Sequence, residues 1–254
     1  MAGKLEGRVA IITGSGSGMG KAIASLYASE GAIVMIADFN EAAINETVKE
    51  ITDAGGKASG FVADMSKEND IIDLVQATVE RYDHVDILVN NAGILDNFRT
   101  VTNTSTNDWN RVMAVNLNGP YMASREAINV MLDQPDGGVI INTASVGGLF
   151  GVRGGAAYTA SKHGIIGLTQ NIAGTYGIYN NIRANAIAPG GVETNLTKAI
   201  KDPDELGMKA ISALGASPMG KPDDIAKVAL FLASDDSSFV NGAVVTVDGG
   251  LTAS

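Results

Sequence analysis

Short apolar segments alternate with helix-forming segments along almost the whole chain, and this alternation restricts the fold more than any other feature of the sequence. Strands joined through helices at this spacing form a parallel sheet with right-handed crossovers and helices on both faces. The sequence therefore predicts an α/β fold, a single Rossmann-type doubly wound parallel sheet of about seven strands. The predicted strands are 9–13, 32–37, 58–63, 86–90, 138–143, 182–188 and 243–247. The predicted helices are one that ends near Ser29 and then 41–52, 68–82, 106–132, 157–176 and 222–233.

Polar residues and glycines follow the predicted strands and should therefore share one edge of the sheet. In open parallel sheets, ligands bind outside the carboxyl ends of the strands. The residues in question are Gly14, Asp38, Asp64, the run 90–93, Ser145 and the pair 189–190. Their common location predicts one ligand site at this edge.

Size and composition favour a single cytoplasmic domain over 1–254. With 254 residues, of which 45% are hydrophobic, the chain can bury a large core. The net charge of −10 argues against nucleic acid and anionic membrane as partners. No apolar run approaches signal-peptide or membrane-span length. The chain has no cysteine, and His84 and His163 lack partners at metal-ligand spacing, so we expect no metal.

The first predicted strand runs into a glycine-rich turn and then a helix. Its glycines, Gly14, Gly18 and Gly20, form a G-x-x-x-G-x-G pattern rather than the strict G-x-G-x-x-G. Backbone without side chains can approach a pyrophosphate closely, and a helix N-terminus offers unpaired N–H groups to it. The turn predicts dinucleotide binding; a glycine-rich loop without a nucleotide is the alternative.

Asp38 ends the second predicted strand, where an acidic residue accepts hydrogen bonds from an adenosine ribose. Its charge would repel a 2′-phosphate, and the neighbouring positions Ser15, Phe39 and Asn40 carry no positive charge. We therefore expect NAD (NADH in preference to NADPH) as the cofactor. In the alternative, Asp38 only caps the helix that follows.

Tyr158 and Lys162 are four residues apart in a predicted helix and follow Ser145. This spacing places the phenol and the ammonium on one helix face. A nearby ammonium favours the phenolate, so we expect Lys162 to lower the pKa of Tyr158 from its usual value of about 10. Such a tyrosine can exchange a proton with an alcohol oxygen.

Taken together, these motifs resemble the short-chain dehydrogenase/reductase family over about residues 5–250. The T-G-x-x-x-G-x-G motif of the family is met by 13–20, N-N-A-G by 90–93 and V-D-G-G by 247–250. The family's active-site residues correspond to Asn116, Ser145, Tyr158 and Lys162, and its P-G motif with a following threonine to Pro189, Gly190 and Thr194. Met19 stands where the family often has isoleucine or leucine.

The resemblance implies a role for each active-site residue. Tyr158 would act as the general acid in ketone reduction and as the base in alcohol oxidation. Lys162 would assist it and bind the nicotinamide ribose, and Ser145 would donate a hydrogen bond to the substrate oxygen. Asn116 would hold a water molecule in a proton relay; a helix kink is the alternative reading of that position.

The resemblance also implies the cofactor contacts. Asp64 and Met65 would border the adenine, 91–93 would pass along the adenosine ribose, and Val192 and Thr194 would fix the carboxamide. The full predicted set is Gly14, Ser17, Gly18, Met19, Asp38, Phe39, Asp64, Met65, Asn91, Ala92, Gly93, Tyr158, Lys162, Pro189, Gly190, Val192 and Thr194.

The predicted substrate pocket is lined by 146–153 and by 196–217, which we interpret as a mobile lid. An apolar pocket with one hydrogen-bonding centre suits a secondary alcohol or its ketone as the small-molecule substrate. The first alternative is a 3-oxoacyl-carrier-protein reductase. A non-catalytic nucleotide-binding sensor and an epimerase or dehydratase are further alternatives. By family resemblance, the helices around 107–132 and 157–176 would form one interface and the C-terminal strand region a second, which gives a homotetramer.

Overall fold

The computed structural model describes residues 3–196, 200–215 and 217–253, and its centre is a sheet of seven parallel strands. The strands of this sheet are β1 (Val9–Thr13), β2 (Ile33–Asp38), β3 (Lys57–Val62), β4 (Ile87–Asn90), β5 (Gly138–Thr143), β6 (Ile182–Pro189) and β9 (Val244–Val247). Two further strands, β7 (Gly191–Val192) and β8 (Met219–Gly220), pair with each other. The helices are α1 (Gly18–Ser29), α2 (Glu41–Asp53), α3 (Glu68–Tyr82), α4 (Thr106–Met113), α5 (Gly119–Leu132), α6 (Ala156–Asn180), α7 (Glu205–Ser212) and α8 (Pro222–Ala233).

The large sheet has the strand order β3-β2-β1-β4-β5-β6-β9, so the predicted fold class is confirmed. From β1 the chain winds outward to β3 and then returns to β4 on the other side of β1. This change of direction opens a crevice between the carboxyl ends of β1 and β4, where ligands bind in such sheets.

Helices cover both faces of the sheet, and the alternation of side chains along each strand explains how. Ala10 and Ile12 of β1 belong to the core that packs against α1, α2 and α8, whereas Ile11 belongs to the core against α3, α5 and α6. Successive side chains of a strand point to opposite faces, so a strand covered on both sides is apolar throughout. All five residues of β1 are buried, as this requires.

The predicted helix 106–132 is wrong in one respect, because α4 and α5 are separated by a π-helical turn over Ala114–Asn118. Pro120 has no N–H to donate to the carbonyl of Asn116, so the α-helical hydrogen-bond ladder cannot continue unbroken through this point. Such turns inside helices are frequent at functional sites. Asn116 lies within the turn and is buried.

The segment 196–217, which we interpreted as a lid, contains α7, and the paired strands β7 and β8 flank the segment on either side. Residues 197–199 and 216 of this segment lie outside the described residues. The lid assignment stays a prediction. Across the ranges that the structure covers, no helix combines the length and apolar character needed to cross a membrane.

Candidate active site

Two adjoining cavities lie along the carboxyl edge of the sheet. A cleft of about 510 Å³ follows the glycine turn, and a cavity of about 270 Å³ lies beyond β4 and β5. Predicted residues that line the first are Ser17, Gly18, Asp38 and Phe39. Predicted residues that line the second are Met19, Asn91, Gly93, Ser145, Tyr158, Lys162, Pro189, Gly190, Val192 and Thr194. The structure thus brings most of the predicted set together at one edge.

The remaining predicted residues, Gly14, Asp64, Met65, Ala92 and Asn116, are not in the lining of either cavity. Asp64 accepts hydrogen bonds from the Ser66 backbone N–H and hydroxyl at 3.0 and 2.7 Å, and these bonds lower the pKa of its carboxyl group. The adenine contacts predicted for Asp64 and Met65 therefore stay predictions.

Thr13, at the end of β1, ties the glycine turn to the turn after β4. Its hydroxyl accepts hydrogen bonds from the backbone N–H groups of Asn91 and Ala92, at 3.0 and 3.1 Å. In return, the Asn91 side-chain amide donates to the carbonyls of Thr13 and Gly14, at 3.0 and 3.2 Å. The two turns that border the crevice are therefore fixed relative to each other by hydrogen bonds.

Gly14 has the backbone conformation that favours glycine, with φ of +64°. A Cβ atom at this position would lie 2.8 Å from the Cα atom of Ala92, which is closer than real contacts allow. The N-cap of α1, Ser17, makes no side-chain hydrogen bond to the first turn of the helix. The turn therefore leaves free backbone and helix N–H groups in the cleft, where an anionic group binds well.

The Asp38 carboxylate is fixed at the floor of the same cleft. It accepts hydrogen bonds from the backbone N–H groups of Gly16 and Asn40, both at 3.0 Å. The alternative in which Asp38 caps α2 is wrong, because the N-cap is Asn40, whose side chain accepts from the Ala43 N–H at 3.2 Å.

Lys162 is buried, and its ammonium donates a hydrogen bond to the Thr143 carbonyl at 2.7 Å. Burial lowers the pKa of Lys162 to about 8. The Nζ atom lies 5.7 Å from the centre of the Tyr158 ring, so both groups face the same cavity as expected for residues one helical turn apart.

The pKa of Tyr158 is raised rather than lowered, so the expectation that Lys162 lowers it is wrong for this structure. Burial is the largest cause, the negative charge of Asp96 adds to it, and a hydrogen bond with Ser145 opposes both. Desolvation disfavours the phenolate more strongly than its neighbours favour it. Tyr158 is consequently a protonated phenol near neutral pH.

The Asn116 side chain makes reciprocal hydrogen bonds with the backbone of Ile94. Its Oδ1 accepts from the Ile94 N–H at 2.8 Å, and its Nδ2 donates to the Ile94 carbonyl at 2.9 Å. A Cβ built on Gly93 would lie 3.4 Å from Asn116 Oδ1 and 3.6 Å from Lys162 Nζ, so both side chains lie close to Gly93. The predicted water relay stays a prediction.

Sequence reasoning missed several residues of the site. Leu95, Phe98 and Leu251 line the second cavity, and Lys21 lines the first. Asp96 is buried, and its carboxylate accepts a hydrogen bond from the backbone N–H of Tyr158 at 2.9 Å. No local pattern in the sequence marks these contacts.

A dinucleotide fits the residues at this edge. Among the described residues, Asn91 Oδ1 and Thr143 Oγ1 are buried side-chain acceptors without a hydrogen-bond partner. Both residues line the second cavity, where a polar ligand can satisfy them. In the ranges that the structure covers, no group of three or more His, Cys, Asp or Glu residues is placed to hold a metal ion.

A doubly wound sheet with a glycine turn at its switch point, and with a serine, a tyrosine and a lysine in the adjoining cavity, defines a dinucleotide-binding oxidoreductase. Residues 14–252 match the family model described as enoyl-(acyl carrier protein) reductase. The chain is 42% identical over 251 residues to 3beta-hydroxysteroid dehydrogenase 2 of Eggerthella lenta, covering 98% of this chain and 96% of that protein. It is 40% identical over 252 residues to a 3-oxoacyl-(acyl-carrier-protein) reductase of Thermotoga maritima, covering 98% and 99%.

The crystal structure of levodione reductase superposes on this structure with a TM-score of 0.90 at 36% identity, covering 98% of this chain and 99% of that one. The chain therefore belongs to the short-chain dehydrogenase/reductase family. It is an oxidoreductase that acts on an alcohol or ketone group with a nicotinamide cofactor.

Proposed function

We propose that this protein is an NAD(H)-dependent oxidoreductase that interconverts a secondary alcohol and its ketone, with Tyr158 as the general acid and base. The observation that carries the proposal is that Ser145, Tyr158 and Lys162 line one largely apolar cavity next to the glycine-rich cleft. A carbonyl oxygen in that cavity can meet a proton donor and a hydrogen-bond donor at once.

The proposed roles follow from the surroundings of each side chain. A bound nicotinamide supplies the hydride in ketone reduction and accepts it in alcohol oxidation. Tyr158, kept protonated by burial, donates its proton to the carbonyl oxygen as negative charge develops there. Ser145 donates a hydrogen bond to the same oxygen, which stabilises that charge.

Lys162 and Asn116 would restore the proton of Tyr158. With a pKa lowered to about 8, the ammonium can release its proton more readily than an exposed lysine does. Asn116 lies in the π-helical turn and, like Lys162, close to Gly93, and it would hold the water molecule that links the lysine to solvent. Lys162 would also bind the nicotinamide ribose.

The preference for NAD over NADP rests on Asp38. Its carboxylate is fixed by two backbone N–H groups in the lining of the cleft, where it can accept hydrogen bonds from a ribose and repels a 2′-phosphate. Lys21 also lines the cleft, but its ammonium pairs with Glu50 at 2.8 Å and with Glu46 at 3.6 Å. These pairs reduce what Lys21 can offer to a phosphate.

Replacement of two residues tests this preference. Asp38→Ala removes the repulsion and Phe39→Arg adds a cation at an exposed position of the same cleft. In the double variant we expect the ratio of kcat/KM for NADPH to that for NADH to rise roughly 10- to 100-fold, because NADH loses hydrogen bonds to a charged group, worth about 1.5–3 kcal/mol, and the 2′-phosphate is no longer repelled. An unchanged ratio would refute the role of Asp38.

The proposed substrate is a compact apolar secondary alcohol or ketone. Leu95, Phe98 and Leu251 supply apolar walls to the cavity, and Ser145 and Tyr158 supply its hydrogen-bonding centre. The name of the hydroxysteroid dehydrogenase relative supports an alcohol on an apolar skeleton. The segment 196–217 would close over this side of the cavity as a lid.

A 3-oxoacyl-carrier-protein reductase is the second candidate. The Thermotoga maritima relative favours it, and the description of the family model also names an acyl carrier protein. The net charge of −10 counts against it, because carrier proteins are acidic and like charges repel.

A non-catalytic sensor has less support, since the serine, tyrosine and lysine are all present. An epimerase or dehydratase would cause no net oxidation of the cofactor, which distinguishes it from a dehydrogenase.

Assembly as a homotetramer in the cytoplasm is part of the proposal. The large half-exposed side chains on α4 and α5, Trp109, Tyr121 and Leu132, support contact with a second copy through these helices. Light scattering tests the assembly, and a monomeric mass would refute it.

The proposed activity is tested by NADH oxidation against a panel of small ketones, diketones and 3-oxoacyl thioesters. We expect turnover of ketones with NADH, and the preferred chain length will report the size of the cavity. Turnover of thioesters alone would support the reductase alternative. NADH binding without turnover of any compound would favour the sensor.

A further inference from the structure

The first turn of α6, the helix that carries Tyr158, is held by a carboxylate from a distant part of the chain. The N-cap of α6 is Gly155, which has no side chain to bond the free N–H groups of the first turn. Asp96 does so instead. Its Oδ1 accepts from the Gly155 N–H at 3.0 Å, and its Oδ2 accepts from the Tyr158 N–H at 2.9 Å.

Asp96 and Gly155 are complementary in shape as well as in hydrogen bonding. Asp96 is 2% exposed, and a Cβ atom at Gly155 would collide with its carboxylate. The same loop supplies a second bond to the helix, because the Arg99 carbonyl accepts from the Ala156 N–H at 2.8 Å. The loop after β4 therefore replaces the cap that the sequence of α6 lacks.

We propose that Asp96 is a positioning residue of the reaction, which caps α6 from outside the helix and thereby fixes Tyr158 in the cavity. The inference rests on the function proposed above, because it concerns the same tyrosine. A carboxylate at a helix N-terminus is stabilised by the unpaired N–H groups and the helix dipole. A shift of the helix start would move the phenol relative to a bound substrate, to which reaction rates are very sensitive.

The charge of Asp96 also acts on the phenol. The other charged groups near Tyr158 are Lys162 and Arg153, which line the same cavity. Arg99, on the loop of Asp96, directs its guanidinium to Asp202 at 2.6 Å. Unlike Lys162, Arg153 and Arg99, Asp96 carries a negative charge, and this charge raises the pKa of Tyr158. Loss of this charge would lower the pKa of Tyr158, although burial would still oppose the phenolate.

Asp96→Asn tests both effects, because it keeps the shape of the side chain but loses the charge and one acceptor. We expect kcat for ketone reduction to fall roughly 10- to 100-fold, as a small misplacement of the reacting group produces. KM for NADH should stay within about twofold, because Asp96 does not line the cofactor cleft. In alcohol oxidation, kcat/KM should begin to rise with pH at a lower pH than in the wild type.

The matched control is Asp223→Asn. Asp223 is an exposed acid in the first turn of α8, so this variant changes the net charge equally and also alters a helix start. We expect it to leave kcat and the pH profile unchanged. Equal effects of the two variants, or an Asp96→Asn variant with wild-type kcat and pH profile, would overturn the proposal.

A second pair of variants separates the cap from the charge. Asp96→Ala should lower kcat and the melting temperature. Gly155→Ser added to it should restore both in part, because the space left by the carboxylate admits a serine that caps the helix itself. The pH profile should stay shifted, since the charge is not restored. Failure of this rescue, with the pH profile unshifted, would contradict the inference.

A readout without turnover keeps this inference separate from the proposed function. The titration of Tyr158 can be followed as the difference in tyrosinate absorbance between the wild type and Tyr158→Phe. Asp96→Asn should move this titration to lower pH whether or not a ketone is turned over. An unmoved titration refutes the role of Asp96, whereas a wild type that turns over no ketone refutes only the proposed activity.

Discussion

The cofactor side and the substrate side of the active-site edge are built differently. On the cofactor side, Thr13, Asp38 and Asn91 each bond backbone groups of a neighbouring turn, between 3.0 and 3.2 Å. On the substrate side, none of the residues of α7 is buried, and Leu206 is 63% exposed. Backbone hydrogen bonds fix the first side, whereas the second side is apolar and loosely covered.

The substrate side is attached to the rest of the molecule by a few polar contacts. Asp204 caps α7 by accepting from the Gly207 N–H at 2.9 Å, and it accepts from the Asn103 side chain at 2.7 Å. These hydrogen bonds lower the pKa of Asp204 to about 2. A segment held in this way can differ in sequence without disturbing the sheet, which is how one fold serves many substrates.

Among the variants that separate the two sides, Tyr158→Phe should have the largest effect on kcat, because it removes the proton donor and leaves the cofactor side intact. We expect kcat to fall roughly 10²- to 10⁴-fold, the usual contribution of general acid catalysis. NADH affinity, measured by fluorescence titration, should change by less than about twofold. A variant that retains wild-type turnover would mean that another group supplies the proton.

Gly14→Ala should disrupt the cofactor side itself. The new Cβ atom would collide with Ala92, and the alanine would have to keep a φ of +64°. We therefore expect a loss of about 1–3 kcal/mol in the free energy of unfolding, together with weak NADH binding. Urea denaturation and NADH titration measure the two effects.

Gly55→Ala is the control for this change. Gly55 has a φ of +87°, and no atom lies within 4 Å of its Cβ position. Gly55→Ala therefore has the same kind of backbone strain as Gly14→Ala but no collision. We expect a smaller loss of stability than for Gly14→Ala, with unchanged NADH binding. Weakened binding in both variants would show that strain, rather than the close approach of the two turns, controls the cofactor side.

The buried lysine predicts a pH effect of intermediate size. The pKa of Lys162 is about 8 in the folded protein and 10.5 in its ordinary state, so the unfolded chain binds more protons between these values. Stability should therefore rise with pH from about 8, until the raised pKa of Tyr158 opposes it above about 10. Melting temperatures of the wild type and Lys162→Met against pH test this, and parallel curves would contradict it.

The smallest effect on stability should come from the substrate side. Leu206→Ala removes an exposed side chain of α7, so we expect the free energy of unfolding to change by less than about 0.5 kcal/mol. The kcat/KM ratio between a large and a small ketone should also change little, because Ile211 rather than Leu206 is the α7 residue that lines the cavity. A changed ratio would mean that Leu206 takes part in substrate selection.

The same comparison explains what the sequence could and could not predict. The glycine turn, Asp38 and the Tyr158–Lys162 pair depend on local backbone geometry and fixed spacing, which a single sequence displays. Asp96 acts on a helix that starts 60 residues later along the chain, so only the folded structure brings the two together. The raised pKa of Tyr158 depends on burial, which spacing does not report.

For a different reason, the sequence indicated the break between α4 and α5 only as the alternative reading of Asn116, a helix kink. The apolar pattern continues through this region, whereas the α-helical hydrogen bonds do not, because of Pro120. The walls of the substrate cavity, such as Phe98 and Leu251, come from segments without regular periodicity, so no pattern marks them in advance.

The most direct test of the account is deuterium transfer from NADH deuterated at both C4 positions to a ketone of the panel, followed by mass spectrometry of the product. We predict that the wild type delivers one deuterium to the carbinol carbon and that Tyr158→Phe, with NADH bound, delivers almost none in the same time. Absence of deuterium in the product of the wild type, or equal transfer by both proteins, would contradict the account.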